Sequence, residues 1–315
     1  MVWTSPNSFA ASANCALYCG ASIDFVDIDP DTRNMCTAKL RQKLLQSAQQ
    51  NKLPKAIVVV HFAGSSCNME EIYGLCKPLN IIIIEDAAHG LGGSYQEKPI
   101  GSCMFSDMTV LSFHPVKSIT SAEGGAVLTN NPTFAQKCKL FSNHGITRNP
   151  AMMQGDSHGN WYYQQIALGY NYRMSDLHAA LGISQLERVD DFIAKRRVLA
   201  KQYFSKFASL GDSLPIKLPV SADADESSWH LFMIELNEHD RKNVYNKLHE
   251  QGIGVNVHYI PIHLHPYYQQ LGFFKGQFPN AERFYEQALS IPLYYDLSDS
   301  QQDSIIKILS DTLRH

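Results

Sequence analysis

The sequence has no long apolar run: nothing in it approaches the roughly 18 consecutive apolar residues of a membrane-spanning helix, so no membrane partner is expected. It has no surplus of positive charge. Lys and Arg number 27 against 30 Asp and Glu, a formal charge of −3, which excludes the basic stripe of a nucleic-acid binder and a polybasic anchor. It has no CxxC pair, although it has seven cysteines (Cys15, Cys19, Cys36, Cys67, Cys76, Cys103 and Cys138), all in the first half. An odd number without metal-type spacing implies buried, reduced thiols in a cytoplasmic protein. The N-terminus lacks the basic head and apolar core of an export signal. Repeats and low-complexity linkers are missing too. What remains is 315 residues, 44% hydrophobic and 18% charged, enough to bury a large core in one large domain or two unequal ones.

The stretch from Lys55 to Thr129 alternates apolar strands with short helices. "AIVVVHFAG" (56–64) and "IIIIEDAAHG" (81–90) read as buried strands, "NMEEIYGLCKP" (68–78) as a helix ended by Pro78, and "MTVLSFH" and "GAVLTN" as further strands. Four isoleucines without polar alternation imply cover on both faces. The pattern predicts an α/β domain with a mainly parallel sheet. Beyond about residue 200 the texture is that of a small α+β lobe. "SWHLFMIEL" and "IGVNVHYIP" read as strands, and "DRKNVYNKLHEQG" as a helix stopped by Gly252. "SDSQ" caps a last helix, with Gln301 reaching back to Ser298 and Ile305, Leu309 and Leu313 on one face. The boundary is expected near residue 200, inside a long helix that begins around Asp176, giving a large domain 1–200 and a small one 201–315.

Chemistry concentrates at two strand ends. Asp86 closes the isoleucine strand, at the carboxyl edge where open α/β sheets bind ligands. Lys117, in "SFHPVKSITSAEGGAV" (112–127), follows another strand end and sits between Pro115-Val116 and a glycine turn. Poor solvation there favours the neutral amine, which attacks an aldehyde. Alone, Asp86 reads equally as a cap and Lys117 as a snorkelling surface lysine. Together they match the needs of pyridoxal 5'-phosphate: an amine for the Schiff base and a carboxylate to keep the pyridine nitrogen protonated. Ser112 is placed to donate to the phosphate, and Gly124 and Gly125 let the backbone pass close to a ligand. His258, His263 and His265 lie in a segment with two prolines, Pro261 and Pro266, and lack helical pairing, so no metal site is expected.

"FVDIDPDTRNM", "EDAAHGLGG", "SFHPVKSITSAEGGAV", "NHGI", "GYNYRMSDLHAALGISQLERVD" and "VHYIPIHLHPYY" follow one another in the order of a known family. Across essentially its whole length the chain resembles the DegT/DnrJ/EryC1/StrS sugar aminotransferases, fold-type-I pyridoxal-phosphate enzymes. The resemblance implies an aspartate aminotransferase-like large domain plus the small C-terminal α+β domain. It implies Lys117 as Schiff-base lysine and proton shuttle and Asp86 on the pyridine nitrogen. His89 would lie by the ring hydroxyl, Ser112 at the phosphate, and Phe9 stacked on the ring. Asn171 would reach the phosphate from the other subunit of a homodimer with shared active sites, and His258 and Tyr259 would contact substrate. Within the family the chain resembles the pseudaminic acid branch, which implies a UDP-linked 4-keto-6-deoxy-N-acetylhexosamine as acceptor and glutamate as donor.

The family's pattern includes a segment ahead of Val2-Trp3, with a Gly/Ser/Thr/Ala-rich turn that cradles the phosphate at a helix N-terminus. Its lack here leads to the expectation of a fragment, a misplaced start or a truncated paralogue, and of weak cofactor binding. Two alternatives to the leading function are an aminotransferase for another nucleotide keto-sugar and a noncatalytic dimer partner. Lys117 argues against the branch of the family that dehydrates its substrate, which carries histidine at that position.

Overall fold

The computed structural model describes residues 1–210, 214–220, 224–237 and 240–314. Val2–Thr4 (β1) runs parallel to Ile23–Phe25 (β2) on one side and to Ala56–Val60 (β3) on the other. Ile82–Asp86 (β4) joins β3 in parallel register, Val60 opposite Asp86. The chain then makes a small antiparallel ribbon, Ser94–Tyr95 with Lys98–Pro99 (β5, β6). Met108–Ser112 (β7) pairs parallel with β4, and Gly125–Leu128 (β8) closes the sheet antiparallel to β7. The order is β2-β1-β3-β4-β7-β8. A second ribbon, Ile146–Thr147 with Gln164–Gln165 (β9, β10), stands apart.

Both faces of the sheet are covered, as the unalternating strands require. Thr37–Gln49 (α2) and Met69–Cys76 (α3) lay Leu40, Leu44, Ile72 and Cys76 over Trp3, Ile57, Val59 and Ile83. Asn68 starts α3 by accepting the Glu71 amide hydrogen, and Glu70 and Glu71 sit favourably in its first turn. On the other face Ala11–Tyr18 (α1) joins Phe25 and Phe62 to residues from far along the chain, among them Met233, Ile262, Tyr268 and Phe284. Each fully buried Leu, Ile or Phe in these layers contributes about 1.5–3 kcal/mol.

Pro132–Phe141 (α4) and Asp176–Leu186 (α5) bury none of their side chains. The long helix expected from Asp176 is two helices. Arg188 leaves helical geometry (φ −108°, ψ 2°), and Val189–Ser209 (α6) starts anew. Ile216–Lys217 (β11), Phe232–Leu236 (β12) and Ala288–Ile291 (β13) form an antiparallel sheet. Arg241–Glu250 (α7) and Asp299–Arg314 (α10) pack with α6 around Leu199, Tyr203, Phe232, Leu248 and Leu309. Two short helices, Pro266–Gln270 (α8) and Pro279–Gln287 (α9), bring Tyr268 and Phe284 to the large sheet. The capping box is formed: Gln301 Oε1 accepts from Ser298 N at 2.9 Å and Ser298 Oγ from Gln301 N at 3.3 Å.

"IGVNVHYIP" is not a strand. It touches β13 at a single bridge, Asn256 with Ser290, because neighbouring amides are satisfied locally: Val255 N by Ile253 O and Val257 N by its neighbour's Asn256 Oδ1. The thiols also differ from expectation. All seven are free, but only Cys67, Cys76 and Cys103 are buried, whereas Cys15 and Cys19 lie exposed on or beside α1. Among the described residues no helix is long and apolar enough to cross a membrane.

Because β1, β3, β4 and β7 are parallel, their carboxyl ends form one edge. The segments that leave that edge begin at Ser5, His61, Ala87 and Phe113. They carry the residues singled out from the sequence.

Candidate active site

Asp86 ends β4 with both carboxylate oxygens engaged. Ser12 Oγ donates to Oδ2 at 2.6 Å, and the Ala88 amide donates to Oδ1 at 3.1 Å. Ser12 has spent its one hydrogen, so Ser8 Oγ, 2.6 Å away, donates to it. This chain of hydroxyls comes from the first turn of α1 and its approach, and both serines are buried. It fixes the carboxylate's direction.

Lys117 follows β7, in a turn closed by its own amide on His114 O at 2.9 Å. Pro115 and Val116 do not shield it; they are exposed, Val116 at 62%. The shielding comes from elsewhere. Burial lowers the amine's pKa below the ordinary lysine range, and the charge of Asp86 opposes that without overcoming it. Among the described residues the amine has neither an ion-pair nor a hydrogen-bond partner. It is thus coupled to Asp86 through space but not neutralised by it.

His89, three residues beyond Asp86, is buried, and its Nε2 lies 3.1 Å from Tyr259 Oη. Its ring packs on His230 with centroids 4.3 Å apart. Burial pushes the His89 pKa well down, assisted by His230, Lys117 and His258. His230 is lowered in the same way, by burial, Lys117, Arg196 and His258. His258 is lowered to about 4 by burial and Lys117. Lys117 is therefore walled by imidazoles that stay uncharged near neutral pH. Burial and the Asp86 charge raise the Tyr259 phenol, so it too is neutral. Phe9 is exposed at the mouth, 6.2 Å from the Tyr259 ring. Ser112 stands at the end of β7, its oxygen 3.4 Å from the His114 amide.

Seven of the sequence-predicted residues, Phe9, Asp86, His89, Ser112, Lys117, His258 and Tyr259, thus gather at one edge of the sheet and the loops facing it. Asn171 is not brought to them within the chain. It pairs with Asn143 on an exposed surface strip, between the stacked rings of Tyr170 and Tyr172. Gly124 and Gly125 serve the chain's own packing. A Cβ on Gly125 would stand 2.6 Å from Leu111 O, and one on Gly124 2.5 Å from Ser121 Oγ.

Sequence reasoning missed Ser12 and His230. Ser12 had a visible signal, a serine one helical turn after Ser8. His230 had none, being one residue in an apolar strand entry. It is set by Trp229, held in a left-handed conformation (φ 48°), and by Arg196, whose guanidinium donates to the Trp229, His230 and Leu293 carbonyls at 3.0–3.3 Å. Ser228 Oγ ties this crossing to His89 O at 2.6 Å.

Behind Asp86, on the opposite face of β4, lies a second polar knot. His61 Nδ1 accepts the Cys67 amide hydrogen, so the ring proton sits on Nε2 and is donated to Glu85 at 2.6 Å. Glu85 also accepts from Thr109 at 2.9 Å and from Ser106. Burial works against the Glu85 charge, but these bonds outweigh it and hold the carboxyl below its usual range.

The donor set fits pyridoxal phosphate. An unpaired amine whose pKa is lowered by burial and a carboxylate aimed by two donors share one cleft with a histidine–tyrosine pair. Of the histidines in the "VHYIPIHLH" segment, His263 Nε2 bonds Glu282 at 2.8 Å and His258 Nδ1 faces Ser290 Oγ at 2.8 Å.

The model of the DegT/DnrJ/EryC1/StrS aminotransferase family matches residues 1–310. The UDP-4-amino-4,6-dideoxy-N-acetyl-beta-L-altrosamine transaminase of Campylobacter jejuni (strain 81-176) is 38% identical over 317 residues, covering 99% of this chain and 78% of that protein. The spore coat polysaccharide biosynthesis protein SpsC of Bacillus subtilis is 35% identical, covering 99% and 79%. Among solved structures, Helicobacter pylori PseC, an aminotransferase involved in the biosynthesis of pseudoaminic acid, superposes with a TM-score of 0.87 at 33% identity, covering 99% of this chain and 79% of that one. NtdA of Bacillus subtilis with bound cofactor PMP gives 0.84 at 28% identity, covering 100% and 68%.

Proposed function

This chain belongs to the DegT/DnrJ/EryC1/StrS aminotransferase family, and from that premise we propose that it moves an amino group from glutamate to the 4-keto carbon of a UDP-linked 4-keto-6-deoxy-N-acetylhexosamine. The family is one of pyridoxal-phosphate-dependent sugar aminotransferases. The likeness to the Campylobacter transaminase and to PseC supports the acceptor, and one observation carries the chemistry: the unpaired Lys117 amine in the same cleft as the aimed carboxylate of Asp86.

When bound, pyridoxal phosphate supplies an electron sink and carries the amino group between donor and acceptor. Lys117 would be the residue that holds its aldehyde, a role that needs the neutral amine, which burial favours. The free Lys117 Nζ would also be the group that holds and moves the substrate's proton. Asp86, held by Ser12 and Ala88, would keep a proton on the pyridine nitrogen. His89, bonded to Tyr259, would hold the ring hydroxyl, Ser112 the phosphate and Phe9 the ring face. His258 and Tyr259 face the sugar. The neutral imidazole wall matters here, since a charged one would raise the cost of protonating Lys117 during transfer.

The same reading makes the protein a homodimer in which Asn171 reaches the partner's phosphate. Supporting it, α4 and α5 bury nothing in the single chain, and Leu177 is 84% and Ile183 62% exposed. The two-domain division near residue 200 is supported by the cluster that begins at Leu199. Seven free thiols support a cytoplasmic setting.

The test is covalent trapping. Purified protein is mixed with pyridoxal phosphate, reduced with borohydride, digested and read by mass spectrometry. The adduct is expected on Lys117 and is lost in Lys117→Ala. An adduct spread over surface lysines, or none, defeats the assignment.

A further inference from the structure

His258 has a fixed tautomer, and the reason lies in Ser290. The Ser290 Oγ stands 2.8 Å from His258 Nδ1 and 2.9 Å from the Asn256 carbonyl oxygen. The hydroxyl has one hydrogen for these two neighbours. If that hydrogen went to Nδ1, two oxygens would face each other at 2.9 Å with nothing between them, an electrostatic clash. If it goes to the Asn256 oxygen, both contacts are bridged, provided that His258 carries its own proton on Nδ1. Ser290 is buried in β13, and its backbone is held against Asn256, by Ser290 N to Asn256 O at 2.8 Å and Asn256 N to Ser290 O at 3.1 Å.

A neutral His258 with Nδ1 protonated presents a bare lone pair at Nε2. That nitrogen has no hydrogen-bond partner among the described residues and is not a buried orphan, so it opens to solvent in the half-buried cleft. Its neighbours are Lys117 through space and the Tyr259 ring, edge-on at 4.9 Å. A lone pair repels a carboxylate and attracts a hydroxyl or amide N–H. The two substrates of an aminotransferase differ in that respect: glutamate brings two carboxylates, and the sugar brings neutral donors.

We propose that His258 Nε2 is a hydrogen-bond acceptor that selects the sugar substrate by a neutral O–H or N–H donor, and that Ser290 is the positioning residue that imposes this role. The proposal rests on the assignment of a keto-sugar acceptor and deepens it. It also explains why the imidazole is kept from charging, since protonation would remove the lone pair.

Long-range ¹⁵N–¹H spectra of histidine-labelled protein without cofactor, at pH 7.5, read the tautomer directly, with His258→Asn identifying the signal. A protonated Nδ1 and bare Nε2 are expected; the reverse tautomer or an imidazolium overturns the proposal. Ser290→Ala is expected to give a mixture of tautomers and to raise the KM for the keto-sugar about three- to tenfold more than the KM for glutamate, the scale of one hydrogen bond. Equal shifts overturn it.

Calorimetry with UDP-N-acetylglucosamine, UDP-glucose and UDP alone locates the donor. If His258→Asn weakens both sugar nucleotides but not UDP alone, the donor is a sugar hydroxyl; if only the first, the amide N–H; if it weakens UDP alone equally, the donor is not on the sugar and the proposal falls. If it weakens neither, no sugar donor meets His258 and the proposal falls. Should the wild type transfer no amino group from glutamate, the functional assignment fails, while the spectra and calorimetry still decide the role of His258.

Discussion

At Lys117 two influences oppose each other: burial lowers the amine's pKa and the Asp86 charge raises it, with burial prevailing. Removing that charge leaves burial unopposed. In Asp86→Asn the amine is therefore expected to titrate at a lower pH than in the wild type, and to be more nucleophilic at neutral pH while transamination is lost. Competitive acetylation across pH, read by mass spectrometry at Lys117, checks the direction; an upward or absent shift contradicts the coupling. The two residues were legible in the sequence because each stands beside a glycine or isoleucine run that marks a strand end. The cause of the lysine's state was not. Its neighbours Pro115 and Val116 are exposed, and the shielding imidazoles His230 and His258 arrive from more than a hundred residues away. Local spacing contains no record of such meetings.

Among the elements, α5 is the one whose sequence asks for more than the single chain supplies. Leu177, Leu181, Ile183 and Leu186 are 40–84% exposed, an apolar surface that water disfavours. In the homodimer reading these side chains meet the partner. Leu177→Asp with Ile183→Asp is then expected to yield a folded monomer that has lost most of its phosphate affinity, because Asn171 no longer reaches across. Sedimentation velocity gives the mass and circular dichroism the fold; a dimer that persists rejects α5 as its seam. The helix itself was readable, though not its end at Leu186. Strands were readable in proportion to their apolar content. β3 and β4 were plain, whereas "ALSI" in β13 was too short to register. "IGVNVHYIP" misled because alternating Val255 and Val257 look like a strand, while Asn256 diverts the ladder's amides to local acceptors.

For the molecule as a whole, the cleft has a cost that depends on pH. His89, His230, His258 and His263 all have lowered pKa values, with burial the main cause in each. In the unfolded chain such histidines take up protons near pH 6.5. The folded chain takes them up only at lower pH, about 4 for His258. Between those values the unfolded state holds more protons, so stability must rise with pH across that window and fall on acidification. Carboxylates such as Glu85 and Glu282, whose pKa values are lowered, act in the same direction but only below their ordinary values near 4.5. The interval from about pH 5 to 6.5 therefore isolates the histidines. Urea denaturation at several pH values in that interval is expected to show a steep positive slope. His230→Phe, which keeps a ring against His89 but cannot be protonated, should flatten it by up to about 1.4 kcal/mol per pH unit. A slope unchanged by the substitution means that His230 takes up its proton as readily in the native cleft as in the unfolded chain. The neutral wall around Lys117 would then be charged, and the amine could not be kept ready for its aldehyde in the way the geometry requires.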